Sequence, residues 1–233
     1  MGNFAEGGHK MTGGLEYLNN RGISDETIKD HGLMYFLNGT IQAIPGELFN
    51  SDFITKVKPM ITGYITATGD YRMNNCVLLP LLSLHRKYLS IFARRLSGEP
   101  KFDAFTYNKK AMLYGLYESH PYILNKEHAY IVEGIFDYLV MWQFGIRNIV
   151  CTLGCSLHYD QMCLLGRFTK NVTVIYDPDV AGKDGMFKAK DLLVKHGYKC
   201  QTVYLPEGLD LDDFILKYGV ERLLKHAKTT LTV

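Results

Sequence analysis

The sequence predicts an α/β protein whose C-terminal part is a mostly parallel sheet with helices on both faces, preceded by a mixed α+β region. Three observations carry this. The last hundred residues alternate between short apolar runs and segments of helical period; residues 39–96 hold β-favouring runs broken by turn residues; and acidic residues stand just beyond several of the later apolar runs. Strictly alternating β and α units specify parallel strands joined by crossover helices.

Taken in order, residues 1–14 are glycine-rich and lack an apolar period, which predicts a flexible tail outside the fold. Leu15-Glu16-Tyr17-Leu18 opens a first helix closed by Gly22. Ser24 is placed to cap a second, with Thr27 where a capping-box Glu would stand. Gly63–Ala67, Cys76–Leu81 and Tyr88–Phe92 then read as strands. The expected division is a mixed subdomain over 15–125 and a parallel α/β domain with short C-terminal helices over 126–233. In the second, the pattern predicts strand Ala129–Val132, helix Asp137–Phe144, strand Asn148–Cys151, helix Tyr159–Phe168, strand Val172–Tyr176, helix Lys183–His196 and strand Gln201–Leu205.

At 233 residues and 47% hydrophobic, the chain can bury a substantial core. No run of eighteen apolar residues occurs, and Met1 to Gly14 does not read as a signal sequence, so a cytoplasmic protein with no membrane partner is expected. Five cysteines without a signal sequence are expected as thiols. Cys151, Cys155, His158 and Cys163 crowd together but lack the paired C-x2-C spacing of zinc sites, which argues against zinc. The net charge of +2 does not announce a nucleic-acid partner, but its distribution is uneven. From Arg86 to Lys110 stand seven basic residues (Arg86, Lys87, Arg94, Arg95, Lys101, Lys109, Lys110) against two acidic ones (Glu99, Asp103), a local excess of five.

In a parallel sheet, reactive groups gather beyond the carboxyl ends of the strands. Those positions hold Glu133-Gly134, then Asp177-Pro178-Asp179, then Asp210-Leu211-Asp212-Asp213. Acids at these places also serve as helix caps. Three acidic stations near one sheet edge ask for more: mutually repelling carboxylates stay ionised together most readily around a hard divalent cation, Mg2+ or Mn2+.

Ile131-Val132-Glu133-Gly134-Ile135-Phe136-Asp137, Thr152-Leu153-Gly154, Tyr176-Asp177-Pro178-Asp179-Val180-Ala181-Gly182 and Leu205-Pro206-Glu207-Gly208-Leu209-Asp210 together resemble the TOPRIM domain, a Rossmann-like fold shared by bacterial primases, topoisomerases and some nucleases. Upstream, Tyr17 to Ile28, Phe92-Ala93-Arg94-Arg95-Leu96, Pro100-Lys101-Phe102 and Leu113-Tyr114-Gly115-Leu116-Tyr117 are similar, in the same order, to the RNA polymerase core of DnaG-type primases. The resemblance implies a nucleotidyltransferase that makes short RNA primers on single-stranded DNA from ribonucleoside triphosphates. It implies Glu133, Asp177 and Asp179 as the catalytic metal site, with Asp137, Asp210 and Asp212 supplementing it. Arg94, Arg95, Lys101, Lys109 and Lys110 are then expected on nucleotide or template phosphates, a task suited to Arg and Lys.

The pattern departs from the family at Pro178 and Leu211, usually Gly and Pro, at Cys155, usually Thr, and in a shorter segment between Lys101 and Lys109. No counterpart of the family's zinc-binding module or helicase-binding tail is recognisable, so a minimal core is expected that works with a replicative helicase or a separate zinc-bearing subunit. Two other functions share these residues: a TOPRIM nuclease, because the same acids can activate water, and a non-catalytic nucleic-acid-binding subunit.

Overall fold

A computed structural model describes residues 12–43, 58–105, 108–206 and 208–230. The first eleven residues of the expected tail lie outside them, while Thr12 to Gly14 already belong to a helix. The chain forms two compact units. One holds the described residues up to Leu81 together with 88–105; the other holds Leu82–Lys87 and the described residues from 108 onward.

The first unit begins with helices α1 (Thr12–Asn20) and α2 (Asp25–Asp30). The Ser24 hydroxyl accepts the Thr27 N–H at 3.3 Å, satisfying a donor that the first turn of α2 leaves open. A five-stranded sheet follows, in the order β2-β1-β3-β4-β5. Its strands are β1 (Met34–Leu37), β2 (Thr40–Ala43), β3 (Cys76–Leu82), β4 (Tyr88–Arg95) and β5 (Phe102–Ala104). β1 and β2 form an antiparallel hairpin, and β4 pairs antiparallel with β5. Pro80 is compatible with its place in β3 because the pairing with β1 ends at Leu78. Phe36, Ile61, Met73, Leu78, Ile91 and Phe105 close the core, Ile61 coming from helix α3 (Lys58–Gly63).

The strand expected at Gly63–Ala67 is not formed. Gly63 ends α3, and only Ile65 makes an isolated bridge, to Tyr71. The Thr66 N–H on the Asp70 carbonyl at 2.8 Å and the Arg72 N–H on the Tyr64 carbonyl at 2.9 Å flank that bridge, and the Gly69 N–H on the Thr66 carbonyl at 3.0 Å closes a turn directly beyond it, which ends the ladder there.

The second unit is the expected parallel α/β layer. Strands β6 (Ala129–Val132), β7 (Ile149–Cys151), β8 (Asn171–Ile175) and β9 (Lys199–Thr202) pair in the order β7-β6-β8-β9, parallel throughout. Helices α4 (Leu116–Lys126), α5 (Ile135–Gln143), α6 (Tyr159–Leu165), α7 (Val180–Lys195), α8 (Leu211–Tyr218) and α9 (Val220–Thr230) complete it. Ile131, Val150, Val172 and Val174 pack with Met162, Leu165, Met186 and Leu193 in one cluster. Alternation sends those strand residues to one face of the sheet. Helix α5 is buried continuously from Ile135 to Trp142, as expected of a helix apolar nearly all round.

Two helices start earlier than the periodicity suggests, α5 at Ile135 and α7 at Val180, because their caps, Gly134 and Asp179, follow the strand ends at Val132 and Ile175 after short turns. The segment between 108 and 125, expected with the N-terminal subdomain, packs in the second unit instead. Tyr114 exchanges backbone hydrogen bonds with Cys151, both 3.0 Å, and so extends the sheet edge at β7.

Candidate metal centre

Strands β6 and β8 lie side by side, so the residues following them, Glu133 and Asp177, emerge at the same edge. Glu133 Oε2 and Asp177 Oδ1 are both buried without a hydrogen-bond partner. Native proteins rarely leave such atoms unsatisfied, because stripping water from a carboxylate oxygen is costly. Burial first, then the charges of Asp177 and Asp179, push the Glu133 carboxyl up to about 7. Burial, followed by Asp210, Asp179 and Asp212, pushes Asp177 up to about 6.

Asp179 caps α7, its Oδ1 accepting the Gly182 N–H at 2.6 Å, so it combines the capping role with closeness to Glu133. The turn requires glycine at 182: a Cβ there would run into the Asp177 carbonyl oxygen. Asp210 precedes α8, and one oxygen each from Asp210, Asp212 and Asp213 come within 4.8 Å of one another. Asp213 was not among the expected ligands.

Asp137, expected to supplement the metal set, has another task here. It is buried, and its Oδ2 accepts the Gly134 N–H at 3.0 Å while its Oδ1 accepts the Asp212 N–H at 3.2 Å. It ties the turn after β6 to the start of α8, which sets Glu133 and Asp212 in place. Burial above all, then Asp177 and Asp212, hold its carboxyl well above the usual range.

Of the basic residues, Lys109 belongs to this centre. It opens a 3-10 turn (Lys109–Ala111), and its charge acts on Glu133 against the upward shift. Its Nζ lies over Gly154, 2.9 Å from where a Cβ would stand. The preceding Leu153 has φ 62°, a conformation uncommon for a non-glycine residue and frequent at functional sites. Lys110 is exposed on the same turn.

Arg94, Arg95 and Lys101 lie in the other unit. The Arg94 Nε donates to the Tyr17 hydroxyl at 2.9 Å, and its guanidinium stands 4.8 Å from the Phe102 ring centre. Lys101 is exposed. Arg95, expected on phosphates, is committed internally. It donates to the Arg72 carbonyl at 2.8 Å and pairs with Asp103 at 3.2 Å, where Arg72 pairs at 2.8 Å as well. Asp103 sits across the β4–β5 pairing, opposite Ala93, and draws the neighbouring guanidinium inward.

The donors around Glu133 and Asp177 are carboxylate oxygens, two of them orphaned, a set that fits a hard divalent cation and is the wrong chemistry for a soft one. A pH dependence follows. Both carboxyls have raised values in the fold, so the metal-free protein binds more protons folded than unfolded and loses stability as pH rises from about 4 through about 7. Thermal melts across this range should show that fall without metal and its reversal with saturating Mg2+. A flat metal-free profile would contradict the repulsion.

A Toprim-like family model matches residues 130–215. The chain is 34% identical over 216 residues to the DNA primase of Aquifex aeolicus, covering 89% of this chain and 43% of that protein. It also matches the crystal structure of the zinc-binding and RNA polymerase domains of the Aquifex aeolicus primase, with 31% identity, a TM-score of 0.76, and coverage of 92% of this chain and 55% of that one. A DnaG primase catalytic domain bound to single-stranded DNA matches at 26% identity and a TM-score of 0.75, over 94% of this chain and 71% of that one. The chain spans about two-fifths of the length of the curated relatives it matches. With the ordered upstream motifs, the parallel sheet and the carboxylates at its edge, these likenesses show the chain to be similar to the catalytic core of DnaG-type primases, including its Toprim-like domain.

Proposed function

We propose that this chain catalyses DNA-directed synthesis of short RNA primers on single-stranded DNA from ribonucleoside triphosphates. The observation that carries the proposal is the pair of orphaned, mutually repelling carboxylate oxygens of Glu133 and Asp177 at the edge of the parallel sheet. Glu133 and Asp177 would hold a divalent cation, Mg2+ or Mn2+, with Asp179, Asp210, Asp212 and Asp213 contributing charge around them. When bound, that cation neutralises phosphate charge and favours in-line displacement at phosphorus. The residues themselves bind and orient. Lys109 presents a cation to the triphosphate beside Glu133, and Asp137 keeps the two acidic loops in register through the Gly134 and Asp212 amides. Such catalysis asks the protein for positioning and electrostatics rather than covalent chemistry.

The experiment is primer synthesis on single-stranded DNA with labelled ribonucleotides and Mg2+ or Mn2+. Template-dependent RNA oligomers are expected, and cleavage of the template without nucleotide incorporation would overturn the reading in favour of a nuclease. A replicative helicase or a separate zinc-bearing subunit is the partner this reading calls for, in the cytoplasm of a bacterium or phage-infected cell. No helix among the described residues is long and apolar enough to cross a membrane.

Arg94 and Lys101 are proposed to bind template phosphates. Replacing both with Ala should weaken single-stranded DNA binding and reduce the slope of log K against log salt by roughly 1.4, about 0.7 for each phosphate no longer neutralised. An unchanged slope would move the template track elsewhere. Arg95→Ala should instead lower the melting temperature, since it breaks the pairing with Asp103 and leaves the Arg72 carbonyl without this donor.

A further inference from the structure

Gln161 is completely buried on α6, and its side chain makes more bonds than helix capping needs. Oε1 accepts the His158 N–H at 2.9 Å, completing a capping box. Nε2 donates to the carbonyls of Lys109 at 3.1 Å, Met112 at 2.8 Å and Thr152 at 3.3 Å, its two N–H groups shared among three acceptors. A glutamate would serve the cap equally well. Only an amide can also donate to carbonyls.

The carbonyls that Nε2 gathers belong to the two pieces of backbone that matter to Lys109. One is the turn from Lys109 to Met112; the other is Thr152, which leads into Leu153 and Gly154, the glycine over which the Lys109 Nζ lies. The Thr152 hydroxyl secures the same loop, reaching the Gly154 carbonyl at 2.7 Å and the Val132 carbonyl at 3.1 Å, one residue before Glu133. The lysine stem is exposed and flexible, so its position depends on its backbone anchor and on the loop below it.

We propose that Gln161 is a positioning residue that fixes the Lys109 ammonium beside Glu133, and so sets the positive charge that an incoming triphosphate meets at the acidic centre. The identity of the anion rests on the primer-synthesis reading; the positioning does not.

A double-mutant cycle tests it with two readouts. Mn2+ binding, followed by electron paramagnetic resonance, reports on the acidic centre without any reaction. Lys109→Met removes a cation near the carboxylates and should tighten Mn2+ binding roughly three- to tenfold, the scale of one partly screened charge at short range. Gln161→Met should tighten it in the same direction, and the double variant should bind no more tightly than Lys109→Met alone. In ribonucleotide incorporation, Gln161→Met should raise the nucleotide KM about tenfold, with kcat changed less than about threefold, and should add nothing to Lys109→Met.

Additive effects in the Mn2+ cycle, or wild-type Mn2+ affinity in a folded Gln161→Met, would overturn the proposal. If the Met variant fails to fold in thermal melts, Gln161→His, which keeps one ring donor, replaces it in the cycle. Intermediate, non-additive tightening is then expected, and additivity overturns it. Non-additive Mn2+ binding in a protein that makes no RNA would sink the primer-synthesis reading and leave the positioning role standing.

Discussion

Asp177→Asn is expected to reduce ribonucleotide incorporation by at least about a hundredfold, roughly 2.7 kcal/mol of transition-state stabilisation, while making the metal-free protein more stable above pH 6. Both effects come from one charge. Asp177 has a buried oxygen with no hydrogen-bond partner, and burial first, then the charges of Asp210, Asp179 and Asp212, push its carboxyl up to about 6. Removing the charge relieves repulsion in the metal-free protein and takes away a ligand that a divalent cation would use. Glu133→Gln should behave alike, its carboxyl being held at about 7 for the same reasons. Asp179→Asn should lose activity and make the metal-free protein modestly more stable, because Asn caps a helix about as well as Asp while one repelling charge is removed. Incorporation assays, Mn2+ titration and thermal melts on the three variants check this together. Activity near wild type in all three would remove the metal-site assignment. Lower stability in metal-free Asp177→Asn would show that packing, not repulsion, dominates there.

Gly182→Ala is expected to cost about 1–3 kcal/mol of stability, the usual scale for a forced contact in a packed region, and to impair Mn2+ binding in the same protein. The added Cβ would collide with the Asp177 carbonyl oxygen and stand 3.0 Å from the Asp177 carbonyl carbon and amide nitrogen. These are backbone atoms, so relief requires moving the segment that carries Asp177. The Gly182 N–H also completes the Asp179 cap at 2.6 Å, so a shift there would open the first turn of α7. Differential scanning calorimetry should show the melting temperature falling by about 2–4 °C for each kcal/mol, and the Mn2+ titration should weaken with it. A variant that melts like the wild type and binds Mn2+ normally would mean that the turn relaxes without disturbing Asp177.

Much of the second unit was legible from local pattern. Strand Ala129–Val132 was expected with the limits it has, and Glu133 and Asp177 were expected just beyond strand ends at one sheet edge, where the sheet order makes their strands neighbours. Both follow from the period-two burial of strands and from the rule that parallel α/β sheets present their loops at one edge. The first unit was read less well at Gly63–Ala67, where a run holding the β-favouring Tyr64, Ile65 and Thr66 makes a helix end, a single bridge and a turn. Propensity is a weak guide when the neighbouring backbone can close a tight turn on itself.

Three residues owe their roles to the same cause. Asp137, Arg95 and Gln161 each find their decisive partners through space, some of them far along the chain. The Asp212 amide comes to Asp137 from 75 residues away, the Arg72 carbonyl to Arg95 from 23, and the Lys109 carbonyl to Gln161 from 52. Nothing in the local sequence around Gln161 announces three carbonyls on its amide nitrogen. By itself, then, the sequence determined the order of β and α units, the strand ends at which acids gather and the family the chain resembles, because each depends on short-range periodicity or on motifs read in order. Only the tertiary structure decided which acids keep an oxygen open for a cation and which basic side chain stands beside them. A buried donor or acceptor takes whatever partner the packed backbone brings within about 3 Å, and that is a property of the assembled fold.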